Sequence, residues 1–442
     1  MISVGLCLVA FGAAFWFGRR ALWQGIVAVL AVGYAYGIVR ANITGATHLL
    51  FDASVAGLFA AQLWNVLTAT DRPGLYALKC WSLALIAWPT VLFFFPPGDV
   101  LVELVGWRAN VFLLPFLLIG AKLDDDSVYR IGMAMAILNI AAGVIAAAEF
   151  TFGIRMFFPY NEVTDMLYQA RLNDTEFIGL RIPATFVNAH AYGGTLVMTL
   201  PFIFGAWIQQ RERWHAHVLT VALAASLLGI FAAGARTPMI VLAVLAVLVT
   251  LSGRLRGYAW VSWAGVILVV GWIVSNDVRL QRFVTLQDTQ FLNERWSSSV
   301  NHEFFDLMGA YPFGRGLAGG GTSIPYFLQD RFEANFVMEN EFARIVMEQG
   351  IPGLFLWVLF IVWVIAKGRG PKSDPWHLSR RLVLAAAAAY FLFALTGIGL
   401  LTSVPQSMVL LLGIGWISVS KPAVARQFLP GRVGQPELAA SA

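Results

Sequence analysis

Long apolar runs alternate with short polar connections from one end of the chain to the other. Crossing a bilayer takes roughly 20 residues of helix, and most of the runs approach that length. We therefore predict an all-α polytopic membrane protein with about 12–13 transmembrane helices and one large periplasmic loop that contains short helices. The predicted spans are residues 2–18, 23–39, 49–67, 75–95, 102–120, 131–149, 184–208, 216–235, 237–252, 258–275, 346–366, 383–401 and 404–420.

The charges of the short connections predict the orientation, because short loops rich in Lys and Arg stay in the cytoplasm. Alternate connections are basic, which places the N-terminus outside; these connections are 19–20, 68–74, 122–130, 209–217, 253–257 and 367–381. The first apolar run is followed by Arg19 and Arg20 and lacks a small-residue cleavage site. That pattern is typical of a retained helix and not of a signal peptide.

These assignments predict a protein of the bacterial inner membrane with three membrane parts and two long outer loops. The membrane parts are residues 1–149, 184–275 and 346–420, and a cytoplasmic tail covers 421–442. The outer loops are 150–183 and 276–345. Loops of that length in a compact protein are usually functional, so we expect the active site in the periplasm, at the larger loop.

Composition narrows the class of protein and of ligand. Only 12% of the residues are charged and 59% are hydrophobic, whereas soluble domains are about 25% charged. Two cysteines, both in apolar runs, exclude a disulfide framework and a thiol-rich metal site. The net charge of +5 sits in membrane-flanking loops and indicates no nucleic-acid partner.

The basic residues of the two predicted faces differ. All five lysines lie on or near the predicted cytoplasmic side, and twelve arginines lie on the outer side. Arginine binds phosphate through a planar fork and tolerates partial burial, so this face suits a phosphorylated ligand. The simpler explanation is that arginine outnumbers lysine throughout the chain.

The stretch YPFGRGLAGGGTSIPYF, residues 311–327, contains a G-x-G-x-x-G motif at Gly314, Gly316 and Gly319. A dinucleotide site needs a strand before this motif and a helix after it. Here a helix-like segment precedes it, and Pro325 interrupts any helix after it, which excludes that class of site. Two alternatives stay open, a backbone cradle for another anion and a flexible turn between two interfacial helices.

Further motifs succeed one another along the second half of the chain. The segment RIPATFVN (181–188) carries an arginine and leads into a predicted helix. The segment GARTP (234–238) carries a second arginine at the outer end of a helix, and Arg295 precedes a helix-like segment of the large loop. The glycine motif comes next, and ENEFARIVMEQGIPG (339–353) then leads into a membrane helix. Together these motifs resemble the O-antigen ligase and O-antigen polymerase superfamily of bacterial membrane glycosyltransferases. The matching residues are Arg181, Thr185, Phe186, Asn188, Arg236, Thr237, Arg295, Gly314, Gly316, Asn340, Phe342, Glu348, Gly350 and Gly353.

The resemblance implies a glycosyltransferase that uses a glycan on undecaprenyl diphosphate as donor and needs neither a metal nor another cofactor. Arginines would then neutralise the departing lipid diphosphate. Arg181, Arg236 and Arg295 are the predicted catalytic arginines, and Arg315 is a secondary candidate for substrate binding. The implied partners are the lipid-linked oligosaccharide and the bilayer, together with a chain-length regulator and a flippase.

One departure from the family's pattern bears on the reaction. Glu339 stands where the family commonly has a histidine on which its ligases depend. We therefore favour a polymerase of exopolysaccharide or O-antigen repeat units over a ligase that acts on lipid A core. Glu339 is the predicted base, with Glu341 as its nearest rival. Both residues, and Glu348, are alternatively capping or salt-bridging groups of an outer helix.

The remaining candidates would contact the substrate. His190 is either a second possible base or an ordinary core histidine, and aromatic side chains of the large loop either stack on sugars or anchor the loop at the interface. The predicted substrate-binding residues are Arg315, Asn340, Gly314, Gly316, Tyr311, Trp296 and His190.

The placement of charges disfavours two other functions. The acidic run at 124–126 resembles the metal-binding pair of nucleotide-sugar transferases, but its short hairpin leaves no room for a catalytic domain. A flippase or other transporter would carry charges at mid-membrane, whereas the charges of this chain gather at helix ends and loops. A catalytically inactive partner of a secretion complex is a further alternative.

Overall fold

The computed structural model describes residues 2–43, 45–68, 74–95, 98–161, 164, 181–252, 289–290, 293, 297, 304–319, 328, 340–367, 374–397 and 399–419. Within these ranges the chain forms helices and no strand. Eight helical segments are long and apolar enough to cross a membrane, and Arg236–Leu251 and Gln406–Ser418 are shorter apolar helices. The protein is thus an all-helical, multi-pass membrane protein, as the apolar pattern predicts.

We number the α-helices of the described residues in chain order. They are α1 Ile2–Arg20, α2 Leu22–Asn42, α3 Leu50–Thr68, α4 Leu75–Phe93, α5 Val100–Val111, α6 Phe116–Ala121, α7 Asp125–Phe152, α8 Ala189–Ile208, α9 Arg213–Ala233, α10 Arg236–Leu251, α11 Asp306–Ala310, α12 Glu341–Lys367, α13 His377–Phe393 and α14 Gln406–Ser418. Short 3₁₀ helices cover Ala46–Leu49 and Ile154–Met156.

Every predicted span within the described residues overlaps one of these helices. The span predicted at 102–120 is divided into α5 and α6, because Pro115 lacks the N–H that would bond to Val111 in a continuous helix. The helix predicted to start at 346 begins earlier, at Glu341. The span predicted at 258–275 and the tail 421–442 lie outside the described residues, as do most of residues 165–180 and 276–339.

Contacts between successive helices sort their termini into two ends of the bundle. At one end, Arg130 of α7 lies over the Trp23 ring of α2, Arg211 pairs with Asp126 at 2.6 Å, and Gln209 Nε2 donates to Pro375 O at 2.8 Å. Described residues of three of the connections predicted to share the cytoplasmic face, 122–130, 209–217 and 367–381, therefore lie together. We refer to this end as the basic end.

The opposite end, which we call the site end, collects the start of α8, α10, α12 and α14 and the finish of α2, α7, α9 and α13. Asn42 of α2 donates to Phe157 O after α7 at 2.8 Å, and the Glu341 N–H at the start of α12 donates to Ala394 O after α13 at 2.8 Å. The start of α1 is also here, since Cys7 contacts Ala46 O.

The core of the bundle is formed by α8 and α14, which bury nearly all of their residues. A polar cluster joins four helices there: Tyr34 Oη donates to Asn139 Oδ1 at 2.5 Å, and Asn139 Nδ2 donates to Thr199 at 3.0 Å and Ser226 at 2.8 Å. Large apolar side chains on α1, α4 and α7, such as Leu8 and Leu83, are exposed. A lipid bilayer is the solvent in which such a surface is stable.

Candidate functional site

Arg181 lies close to the start of α10, whose first residue is the predicted Arg236. Arg181 Nη1 lies 3.0 Å from His190 Nε2 in the first turn of α8. Arg236 is the first residue of α10, and a Cβ placed on Gly234, two residues earlier, would lie 3.7 Å from Arg181 Cγ. We call Arg181, His190 and Arg236 the arginine corner. His190 is exposed, so its interpretation as a core histidine is wrong.

Local capping signals build this corner. Asn188 Oδ1 accepts the Ala191 N–H at 2.8 Å and so caps the start of α8. Gly234 ends α9 in the left-handed conformation, with φ 61°, which lets the chain reverse directly into α10. The Ile182 N–H donates to Ala232 O at 3.3 Å and fixes the approach of Arg181 to the corner. The N-termini of α8 and α10, both electropositive, therefore lie near Arg181.

A buried carboxylate supports the turn between Arg181 and α8. Glu149, near the end of α7, accepts the Ala184 N–H at 2.8 Å, and Ala184 has the left-handed φ of 49°. The Thr185 carbonyl accepts the Gly37 N–H of α2 at 3.0 Å. An L-residue at positive φ is unfavourable by itself, so the contacts from α2 and α7 hold this turn in place.

A second feature is the glycine loop, residues 311–319, which packs against a kink in α12. Gly350 at the kink has φ 70° and ψ −172°, and a Cβ there would lie 2.5 Å from Pro312 O. The Ile351 N–H donates to Pro312 O at 2.8 Å, and the Arg315 N–H donates to Met347 O at 2.6 Å. Backbone contact on both sides of the kink thus docks the loop.

The backbone of the glycine loop is largely committed to bonds inside the protein. The Gly314 N–H donates to Tyr311 O at 3.0 Å and the Gly319 N–H to Gly316 O at 2.8 Å. The Leu317 N–H donates to Glu103 Oε2 at 2.8 Å. Together with Arg315, four amides of this short stretch have internal acceptors, so the described part of the loop is a docked turn.

A buried polar network lies beneath the loop. Arg344 of α12 donates through Nη2 to Glu341 Oε1 at 2.6 Å and through Nη1 to Glu348 Oε2 and to Asn110 Oδ1, the latter at 3.2 Å. Asn110 Nδ2 donates to Glu348 Oε2 at 2.8 Å, and Gln349 Nε2 donates to Asn110 Oδ1 at 2.9 Å. We call Asn110, Glu341, Arg344, Glu348 and Gln349 the buried network.

The buried network also joins the glycine loop to the rest of the site end. Glu341 Oε2 accepts the Gly399 N–H at 2.7 Å, and Ser407 at the start of α14 donates to Gly399 O at 3.1 Å. The neighbouring Gln406 packs against Gly194 in the first turns of α8. A continuous set of contacts therefore runs from the loop to the helix that carries His190.

Several predicted residues have other surroundings than expected. Glu341, the alternative base, is fully buried in its ion pair with Arg344, which confirms its other interpretation as a salt-bridging group. Asn340 is buried, and its Oδ1 caps α12 by accepting the Phe342 N–H at 2.9 Å. Tyr311 is half-buried at the end of α11, and Arg315 is half-buried in the loop. Arg295, Trp296 and Glu339 lie outside the described residues.

The sequence prediction missed Glu103, Asn110 and Glu149. Each is a polar residue within or at the end of an apolar run, and that is the signal by which they could have been found, because such residues are rare in membrane helices and have specific partners. In the structure Glu103 and Asn110 contact the glycine loop and Glu149 contacts the turn before α8. All three therefore support the parts of the chain that carry predicted site residues.

Among the residues that the structure describes, no group of three or more His, Cys, Asp or Glu side chains is placed to hold a metal ion. Comparison of the sequence with protein-family models and with curated proteins finds no match.

Proposed function

We propose that the protein is a polymerase of polysaccharide repeat units carried on undecaprenyl diphosphate. It would transfer the glycan from one lipid diphosphate to the terminal sugar of a second lipid-linked unit, on the periplasmic face of the inner membrane. The observation that supports this most is the arginine corner, because Arg181 contacts His190 and lies near Gly234, two residues before Arg236, at one end of a membrane bundle.

The proposed reaction requires positive charge close to the phosphate that leaves when the sugar–phosphate bond breaks. The acceptor hydroxyl attacks the anomeric carbon, its proton passes to a base, and the lipid diphosphate leaves with the bonding electrons. Guanidinium groups stabilise this leaving group as its charge grows. Arg181 and Arg236 would bind the diphosphate at headgroup depth, with the N-termini of α8 and α10 adding to the field.

The choice of polymerase over ligase rests on Glu339, which replaces the histidine of the resembled ligases. A carboxylate can act as the general base for a sugar hydroxyl. The transporter alternative finds less support, since the buried charges of α12 pair with one another.

Purified protein in proteoliposomes, supplied with lipid-linked repeat units alone, tests the proposal. A ladder of lipid-linked products is the expected result, whereas translocation of unchanged substrate would indicate a flippase. Transfer only after lipid A core is added would indicate a ligase.

Arginine variants connect that activity to the site. Arg181→Ala, Arg236→Ala and Arg295→Ala are each expected to abolish the ladder while the protein stays in the membrane. Arg155→Ala is the matched control, because Arg155 also lies at the site end but stacks on the Tyr160 ring at 3.6 Å. Full activity of Arg236→Ala would remove the arginine corner from the mechanism.

A further inference from the structure

One face of α5 has no role in the proposed reaction, yet it carries two polar residues inside a membrane helix. Glu103, Gly106 and Asn110 are spaced so that they share this face. Glu103 and Asn110 are both buried. Polar groups at such positions are costly unless they have a partner. Here Glu103 bonds to the glycine loop, and Asn110 contacts both the loop and α12.

The contact between α5 and the loop is close and specific. Glu103 Oε2 accepts the Leu317 N–H at 2.8 Å, and Asn110 Nδ2 lies 3.4 Å from Leu317 O. Between them, a Cβ on Gly106 would lie 2.4 Å from both the carbonyl carbon and the oxygen of Leu317. The absence of a side chain at Gly106 therefore lets the loop backbone rest directly on the helix.

We propose that Glu103, Gly106 and Asn110 form a docking face that positions Arg315. Leu317 is two residues from Arg315, whose own N–H is bonded to Met347 O on α12 at 2.6 Å. The loop is thereby held between α5 and α12, and Asn110 joins both supports because it also bonds to Glu348. This inference rests on the proposed function only for the role of Arg315; the docking itself is independent of it.

Hydrogen exchange tests the docking without reference to activity. In Glu103→Leu the Leu317 N–H loses its acceptor, and exchange across residues 311–319 is expected to accelerate by roughly tenfold to a hundredfold. Glu103→Gln retains a carbonyl oxygen at the same place and is expected to exchange as the wild type does. Glu212→Leu is the matched control, since Glu212 lies at the basic end and bonds to Trp214.

Gly106→Ala tests the same contact without removing a polar group. The added methyl group would displace the Leu317 carbonyl, so exchange of the loop is again expected to accelerate. Gly12→Ala is its control, because no atom lies within 4 Å of the added Cβ. If Gly106→Ala and Glu103→Leu both leave exchange of the loop unchanged, the docking face is refuted. If Glu103→Leu fails to reach the membrane, the exchange rate of the loop in Gly106→Ala alone decides whether the docking face exists.

A double-mutant cycle then tests whether the face acts through Arg315. Gly106→Ala is expected to reduce ladder formation, and Gly106→Ala with Arg315→Ala is expected to be no worse than Arg315→Ala alone. Losses that multiply would show that the face acts by another route and would overturn the positioning role. Full activity of Arg315→Ala would remove Arg315 from the proposed function, and the exchange result would still decide the docking.

Discussion

Replacing Arg344 by methionine is expected to lower the free energy of unfolding by about 3–5 kcal/mol. The Arg344 side chain is 1% exposed and its two ion-pair partners are fully buried. Methionine fills much of the same volume but leaves the carboxylates of Glu341 and Glu348 without a counter-charge. An uncompensated buried charge is the costly part, since the intact pair gains little over an apolar replacement of the whole group.

The expected loss in free energy of unfolding can be compared with that of an exposed ion pair in the same protein. Arg130 pairs with Asp126 at 2.6 Å across one helical turn, with 50% and 43% of the two side chains exposed. Pairs of this kind contribute about 0–1 kcal/mol, because water solvates each partner when the other is removed. Arg130→Met is therefore the control; it also removes the contact of Arg130 with the Trp23 ring, worth about 0.5–1 kcal/mol, so the two variants are expected to differ by at least about 1 kcal/mol.

The assay is denaturant-induced unfolding of the purified protein in micelles, followed by tryptophan fluorescence, with slopes compared to confirm that the same transition is observed. A triple variant, Arg344→Met with Glu341→Gln and Glu348→Gln, is expected to recover part of the loss because no buried charge remains. A loss below about 1 kcal/mol in Arg344→Met would refute the reasoning, since it would equal that of an exposed pair.

Three further outcomes are expected. Glu339→Gln should reduce ladder formation at least about a hundredfold if Glu339 is the base, as rates in the presence of substrate would show; an unchanged rate would return it to a structural role. Gly350→Ala should destabilise the protein by about 1–3 kcal/mol in the same unfolding assay, because it combines a positive φ with a clash at Pro312; Gly12→Ala, which meets no atom, is the control. Ladder formation should continue in excess chelator, and its loss with recovery on adding a divalent metal would contradict the metal-independent mechanism.

The helical framework could be predicted from the apolar pattern because length and hydropathy are properties of each segment alone. The start of α10 at Arg236 and the cap of α8 at Asn188 could likewise be expected from local signals. The early start of α12 could not be predicted from local signals, because the polar run before residue 346 is typical of a loop when its partners are not known. Glu341 and Arg344 are helical and buried since each compensates the charge of the other.

The other contacts of the site could not be predicted from the sequence pattern because they join residues that are far apart in the chain. Glu103 and Leu317 are bonded although more than 200 residues separate them, and nothing near Glu103 in the sequence indicates that its carboxylate will meet a loop amide. The same holds for Arg181, whose closeness to Gly234 depends on how α9 and α10 pack against α8. The resemblance named Arg181 and Arg236, and the closeness of Arg181 to the start of α10 came only with the structure.

The glycine motif and the arginine corner bear on which groups of the protein would bind the diphosphate of the proposed substrate. A glycine-rich turn binds phosphate through amides that have no other acceptor, and in residues 314–319 four amides already have one. In the proposed reaction, neutralising the lipid diphosphate would therefore rest mainly on side chains, and guanidinium groups bind phosphate most strongly. It follows that Gly314→Ala would act by moving the loop, since its Cβ would lie 2.8 Å from Glu348 O. Its effect on activity should then match that of Gly106→Ala, which touches the opposite side of the same loop.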